Sequence, residues 1–190
     1  MSRNQWSEHI DELTDLLKAS AFRGRAGVSM DVEKGFDLWK RMTLKLRNNK
    51  GTIYLIGNGA SASMASHFAA DLAKNARLHT EVFSDLSLIT AISNDMGYEH
   101  IFSEPISRRV KPGDMLVAIS SSGRSPNVLS AVRAAQKKKA VIVTLSAMKP
   151  GNPLRSLGAL NIYVPAQTYG FAESCHAALL HHWMDMVEMA

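Results

Sequence analysis

Residues 52–61, Thr-Ile-Tyr-Leu-Ile-Gly-Asn-Gly-Ala-Ser, carry a short apolar run straight into a glycine-rich turn. Five apolar or β-branched residues bounded by Gly51 and Gly57 read as a buried strand, and the turn opens a helical pattern with Met64, Phe68 and Leu72. Downstream the same alternation repeats. Apolar runs at Thr80–Phe83, Met115–Ile119, Val141–Leu145 and Asn161–Val164 are separated by helical stretches. Strand-helix alternation of this kind predicts a parallel sheet covered by helices on both faces. Five strands predict a flavodoxin-like five-stranded sheet of order 2-1-3-4-5, with the ligand crevice outside the carboxyl ends of strands one and three.

Upstream of Lys50–Gly51 the pattern is helical. Ile10, Leu13, Leu16 and Leu17 recur at helical spacing, as do Val32, Phe36, Trp39, Met42 and Leu46. The expectation is one domain over 1–190, a helical extension over 1–49 followed by an α/β core over 50–190. A chain of 190 residues with 46% hydrophobic and 21% charged residues suits that plan. No run reaches the length of a membrane span, and the segment from Met1 to Lys18 mixes charges with apolar residues, which favours a cytoplasmic location. With one cysteine, Cys175, no intrachain disulfide forms. The net charge of +5 is poorly clustered; its one sharp run, Lys137–Lys139, falls at a predicted helix end, where cations offset the macrodipole. Nucleic acid and membrane are therefore not expected partners.

The crevice rule directs attention to the residues after Ile56 and Ile119. The first turn is Gly57-Asn58-Gly59-Ala60-Ser61 and the second is Ser120-Ser121-Ser122-Gly123-Arg124-Ser125-Pro126-Asn127. Both enter helices, and Ser125 with Pro126 suits the N-cap and first position of the second. Free N–H groups at two helix starts, together with serine hydroxyls, make a phosphate site. Taken alone, either turn is ordinary strand-to-helix chemistry; together, at both ends of one crevice, they point to a phosphorylated ligand. The first turn also fits Gly-x-Gly-x-x-Ala, with Asp85 as a conceivable ribose acceptor, but a dinucleotide reading leaves the serine turn unexplained.

Acid/base candidates lie on the flanking helices. His67 and Asp71 are four apart on the helix after the first turn, hence on one face. On the last helix Cys175, Leu179, His182, Trp183 and Met186 form an apolar face, whereas Glu173 and His181 project from the other side. An exposed pair of His181 with Asp185 is the bland account of His181.

Taken in order, residues 56–71 (IGNGASASMASHFAAD), Ser84–Asp85, Asn94–Tyr98, residues 117–128 (VAISSSGRSPNV) and the last helix resemble bacterial phosphoheptose isomerases of the sugar isomerase (SIS) type. The likeness covers the chain from about Gly51 to the C-terminus. It implies an aldose/ketose isomerase converting sedoheptulose 7-phosphate to D-glycero-D-manno-heptose 7-phosphate or a related phosphosugar. It further implies that Ser61, Ser120, Ser122 and Ser125 hold the phosphate, with Asn58 and Asp95 near the sugar and Gly59, Ser121 and Glu173 also among the substrate-binding residues. Asp71 would be the general base and His181 the acid/base serving the oxygens. His67, Asp71, Glu173 and His181 match four family positions that can bind zinc, and the assembly implied is a homotetramer. Two positions depart from the family: Asp71 stands for Glu and Glu173 for Gln, and the segment Tyr169–Ser174 is shorter than its counterpart. The competing expectation is a non-catalytic phosphosugar-binding regulator of the initiator-associating type.

Overall fold

The computed structural model describes residues 5–190, so residues 1–4 of the expected helical extension lie outside the described residues. Its strands are β1 (Ala21–Gly24), β2 (Ser29–Met30), β3 (Thr52–Ile56), β4 (His79–Val82), β5 (Met115–Ser120), β6 (Val141–Ser146) and β7 (Leu160–Tyr163). Its α-helices are α1 (Trp6–Lys18), α2 (Val32–Asn48), α3 (Ala60–Ala76), α4 (Leu86–Met96), α5 (Ser103–Arg109), α6 (Pro126–Lys137) and α7 (Tyr169–Glu188).

All strands join one sheet of order β2-β1-β7-β6-β5-β3-β4. Its parallel part, β4-β3-β5-β6-β7, is the predicted 2-1-3-4-5 order, with β4 and β7 each displaced by one residue from the sequence expectation. The side chains of β5 alternate between two cores: Met115, Val117 and Ile119 face α2, α3 and α7, and Leu116 with Ala118 faces α4, α5 and α6. Every residue of β5 is buried, as a central parallel strand covered on both faces requires.

The N-terminal region departs from the all-helical expectation. Residues 21–30 form a β-hairpin whose first strand pairs antiparallel with β7, Phe22 opposite Ile162. The burial of Ala21–Gly24 alternates with period two, Phe22 and Gly24 inward, which is a strand signal too short to stand out between two helical patterns. Pairing with β7 satisfies backbone groups that an open edge would leave bare.

α2 and α7 are locked together by Trp39 and Trp183, both fully buried, with ring centroids 4.1 Å apart and planes 10° from parallel. Trp183 Nε1 donates to Thr43 Oγ1 at 3.0 Å, and that hydroxyl donates to the Trp39 carbonyl at 2.9 Å. An aromatic pair of this kind adds about 1 kcal/mol beyond its area burial. It fixes α7, which carries Glu173 and His181, against the rest of the molecule. Cys175 lies in the same interface, and burial pushes its thiol up to about 11.

Candidate active site

At the carboxyl ends of β3 and β5 the two predicted turns face each other. Gly59 makes the first possible: its φ of 56° and ψ of −128° lie where a side chain would be strained, and the chain reverses there into α3. In the second turn Gly123 has φ 60°, and a Cβ there would clash with Asn152 Oδ1. Asn152 is itself buried and donates to Ser146 Oγ at 3.2 Å and to the Ala147 carbonyl at 3.3 Å, so it has no room to yield. The serine turn is therefore held in one shape by a glycine and by the asparagine behind it.

Between the turns lies a cavity of about 120 Å³ lined by Asn58, Ser61, Ile119, Ser120, Ser121, Ser122, Ser125, Tyr169 and Glu173. It gathers all four expected phosphate serines together with Ser121, Asn58 and Glu173. Ser125 occupies the N-cap of α6, but its hydroxyl does not cap the helix; it meets Ser120 Oγ at 3.2 Å instead. Among the described residues no lysine or arginine lines the cavity, and Glu173 is its one charged group. The attraction for an anion comes from hydroxyls and from the positive ends of α3 and α6, so Glu173 works against it.

Asn58 and Asn127 tie the turns together with two amide hydrogen bonds of 3.0 and 2.8 Å, and Tyr98 donates to Asn58 Oδ1 at 3.3 Å. Asn127 is 1% exposed. Sequence reading passed over it, and over Tyr169 and Tyr98. An asparagine at the second position of a helix, just after Pro126, was the signal for Asn127. Beyond Asn58, on the β4 side, an apolar cavity of about 210 Å³ is lined by residues that include Ile56, Phe83, Ile89, Tyr98 and Gly59.

Two expected substrate-binding residues do not line the serine cavity. Gly59 lies in the apolar cavity, and Asp95 is exposed near the end of α4, where Asn94 Nδ2 donates to Asp95 Oδ1 at 2.9 Å. Asp85, the conceivable ribose acceptor, is the N-cap of α4; the Leu88 N–H donates to its carboxylate at 2.9 Å, and that bond holds its pKa below the ordinary value.

The acid/base candidates form a second cluster farther along α3 and α7. His67 Nε2 is 3.3 Å from Asp71 Oδ2, and Lys74 Nζ is 3.9 Å from Asp71 Oδ1. The His181 ring stands edge-on to Phe68 at 4.7 Å and to His67 at 5.7 Å. His181 is thus placed against α3, and the ion pairs among the described residues include none with Asp185. His182, by contrast, packs edge-on against Phe36 at 4.6 Å. Glu173 belongs to the serine cavity, two turns of α7 before His181. The zinc implied by the family likeness was tested on this arrangement: among the described residues no three His, Cys, Asp or Glu side chains converge as a metal-binding group. The four residues of one chain do not fit a tetrahedral ion as they stand.

A model of the SIS domain matches residues 33–147, a stretch that holds both turns and the His67–Asp71 pair. A phosphoheptose isomerase from Azoarcus sp. (strain BH72) is 34% identical over 187 residues, covering 94% of this chain and 94% of that protein. The chain belongs to the phosphoheptose isomerase family of SIS-domain proteins. Among solved structures of the family, phosphoheptose isomerase GmhA from Neisseria gonorrhoeae is 28% identical with a TM-score of 0.80, covering 95% of this chain and 96% of that one. A phosphoheptose isomerase from Francisella tularensis, 21% identical, shares the fold over the whole of both chains with a TM-score of 0.84. The family model ends before α7, the helix on which one of the two family departures, Glu173, is found.

Proposed function

We propose that this chain is a phosphoheptose isomerase, converting sedoheptulose 7-phosphate to the aldoheptose 7-phosphate by proton transfer between C1 and C2. The single observation that carries the reading is the placement of a serine-lined cavity and an acid/base cluster on the same two helices. From Ser61 to His67 along α3 is six residues, about 9 Å, and from Glu173 to His181 along α7 is eight residues, about 12 Å. Six carbon–carbon bonds of roughly 1.5 Å, laid out as a zigzag and extended by a phosphate ester, span about the same distance. With phosphate among Ser61, Ser120, Ser121, Ser122 and Ser125, C1 and C2 of a seven-carbon sugar reach the cluster.

The chemistry then needs a base and a proton donor. Asp71 takes a proton from C1 of the ketose while the C2 carbonyl oxygen gains one from His181, giving an enediol. Return of a proton to C2 from Asp71 and loss of the C1 hydroxyl proton to His181 complete the aldose. His67, 3.3 Å from Asp71, holds the carboxylate in place. General acid/base assistance of this kind is worth about 10² to 10⁴ in rate.

The assembly in this reading is a homotetramer. In favour of it, α1 has no buried residue, and Trp6, Tyr169 and Leu86 stand 75%, 61% and 74% exposed in the single chain. No helix among the described residues is long and apolar enough to cross a membrane, which accords with a cytoplasmic enzyme.

The test is a proton NMR time course of the purified protein with sedoheptulose 7-phosphate in D₂O, run with added zinc and again with chelator. Appearance of an aldoheptose phosphate bearing deuterium at the transferred position is expected. Binding of the sugar phosphate without conversion or exchange would overturn the enzyme reading in favour of a phosphosugar-binding regulator. Conversion lost with chelator and restored by zinc would mean that the active assembly holds a metal that the arrangement within one chain does not account for.

A further inference from the structure

His176 stands on α7 one turn after Glu173 and is wholly buried, yet among the described residues neither of its ring nitrogens has a hydrogen-bond partner. Burial pushes its pKa down to about 4, so the ring is neutral and presents one N–H donor and one bare acceptor to a dry interior. Leaving both unmet is destabilising, and an apolar side chain of similar size would avoid that cost. A pure packing role therefore gives no reason for a histidine here.

Its surroundings supply one. The backbone of Ser146 lies close enough to the ring to favour its protonated form, though short of full hydrogen-bond geometry. Ser146 ends β6, and its carbonyl accepts from the Val164 N–H at 2.9 Å. Across the sheet Ser146 is the register partner of Ser120, whose hydroxyl meets that of Ser125 in the serine cavity. Its hydroxyl in turn accepts from Asn152, the residue that packs against Gly123 of the serine turn. His176 thus lies between the helix turn that carries Glu173 and the strand end that backs the serine cavity.

We propose that His176 is a positioning residue for the phosphosugar site, whose ring completes a hydrogen bond to the Ser146 carbonyl when phosphate fills the serine cavity and so sets α7, with Glu173 and His181, in working register. This rests on the reading of the serine cavity as the phosphate site. The orphaned donor is the open half of a contact that the ligand closes, and the stability it costs the empty protein is returned on binding.

The experiment compares the wild-type chain with His176→Leu and His176→Gln by thermal melts, by the melting shift that inorganic phosphate produces, and by KM and kcat on the sugar phosphate. The expected result is a Leu variant that melts no lower than wild type, shows a reduced phosphate shift and loses tenfold or more in kcat/KM. The Gln variant, which keeps a donor, should recover part of that loss. A Leu variant with wild-type kinetics and a wild-type phosphate shift would overturn the proposal. Should Leu prevent folding, His176→Met replaces it; equal activity of the Gln and Met variants overturns the proposal, and activity retained by Gln alone supports it. A wild-type chain without turnover would count against the isomerase reading by itself, while the phosphate shifts would still decide the role of His176.

Discussion

Asn58 and Asn127, 69 residues apart, exchange a donor and an acceptor in both directions, Asn58 Nδ2 to Asn127 Oδ1 and Asn127 Nδ2 to Asn58 Oδ1. The pair joins the turn after β3 to the first turn of α6, so the two halves of the phosphate cavity cannot drift apart independently. Replacing Asn127 by Asp puts an acceptor where a donor stood and a negative charge beside the phosphate loops. An unpaired buried amide group costs about 1–3 kcal/mol, which in a domain of this size lowers the melting temperature by about 2–12 °C. Thermal melts of Asn127→Asp with and without phosphate should show that drop and a weakened phosphate shift, and KM for the sugar phosphate should rise at least tenfold.

Glu173 places a carboxylate in the cavity proposed to receive a phosphate, with no lysine or arginine lining it among the described residues. Two like charges about 5 Å apart at a partly shielded site repel by a few kcal/mol before screening. Glu173→Gln, which restores the family residue, should lower KM for the sugar phosphate several-fold to tenfold. The advantage should shrink in high salt, because screening acts on the repulsion alone. Steady-state kinetics of both proteins at low and high ionic strength would check this; an unchanged or higher KM in the Gln variant would mean that the carboxylate binds the sugar.

Much of this was legible in the sequence, for a physical reason. Buried parallel strands read as continuous apolar runs, and a glycine or serine turn must follow where such a strand enters a helix, so Ile56 and Ile119 marked the crevice before any coordinates did. What escaped was non-local. The pairing of β1 with β7 depends on an edge that forms only when the sheet does, and four residues of period two cannot advertise it. Asn127 looked like a helix residue until its amide was seen against Asn58. That Glu173 faces the serine cavity while His181 packs against Phe68 of α3 was also hidden, since spacing along one helix does not say what each side chain meets.

Asp71 is one methylene shorter than the family glutamate, and its carboxylate is anchored by His67 at 3.3 Å. Asp71→Asn keeps the shape and removes the base. A loss of about 10² to 10⁴ in kcat with KM nearly unchanged is the expected signature of a group acting in the transition state only. Asp71→Glu should stay within about tenfold of wild type, because it restores family reach at the expense of the tuned contact with His67. Steady-state kinetics of the three proteins would check both, and near-wild-type turnover in the Asn variant would move the base elsewhere.

His176 also fixes how stability should depend on pH. In the unfolded chain its imidazole takes up a proton near pH 6.5, whereas in the folded protein burial delays that until about pH 4. Between these values the unfolded state binds more protons than the folded one, so acid favours unfolding and stability rises with pH across that window. Above 6.5 the ring is neutral in both states and contributes no slope; at pH 4 the penalty amounts to about 3 kcal/mol. Denaturant titrations from pH 7 to pH 4 should therefore show stability falling as pH drops, and the fall should be shallower by that amount in His176→Leu. An equally steep fall in the Leu variant would assign the acid sensitivity to other groups and place His176 in contact with water in the folded protein.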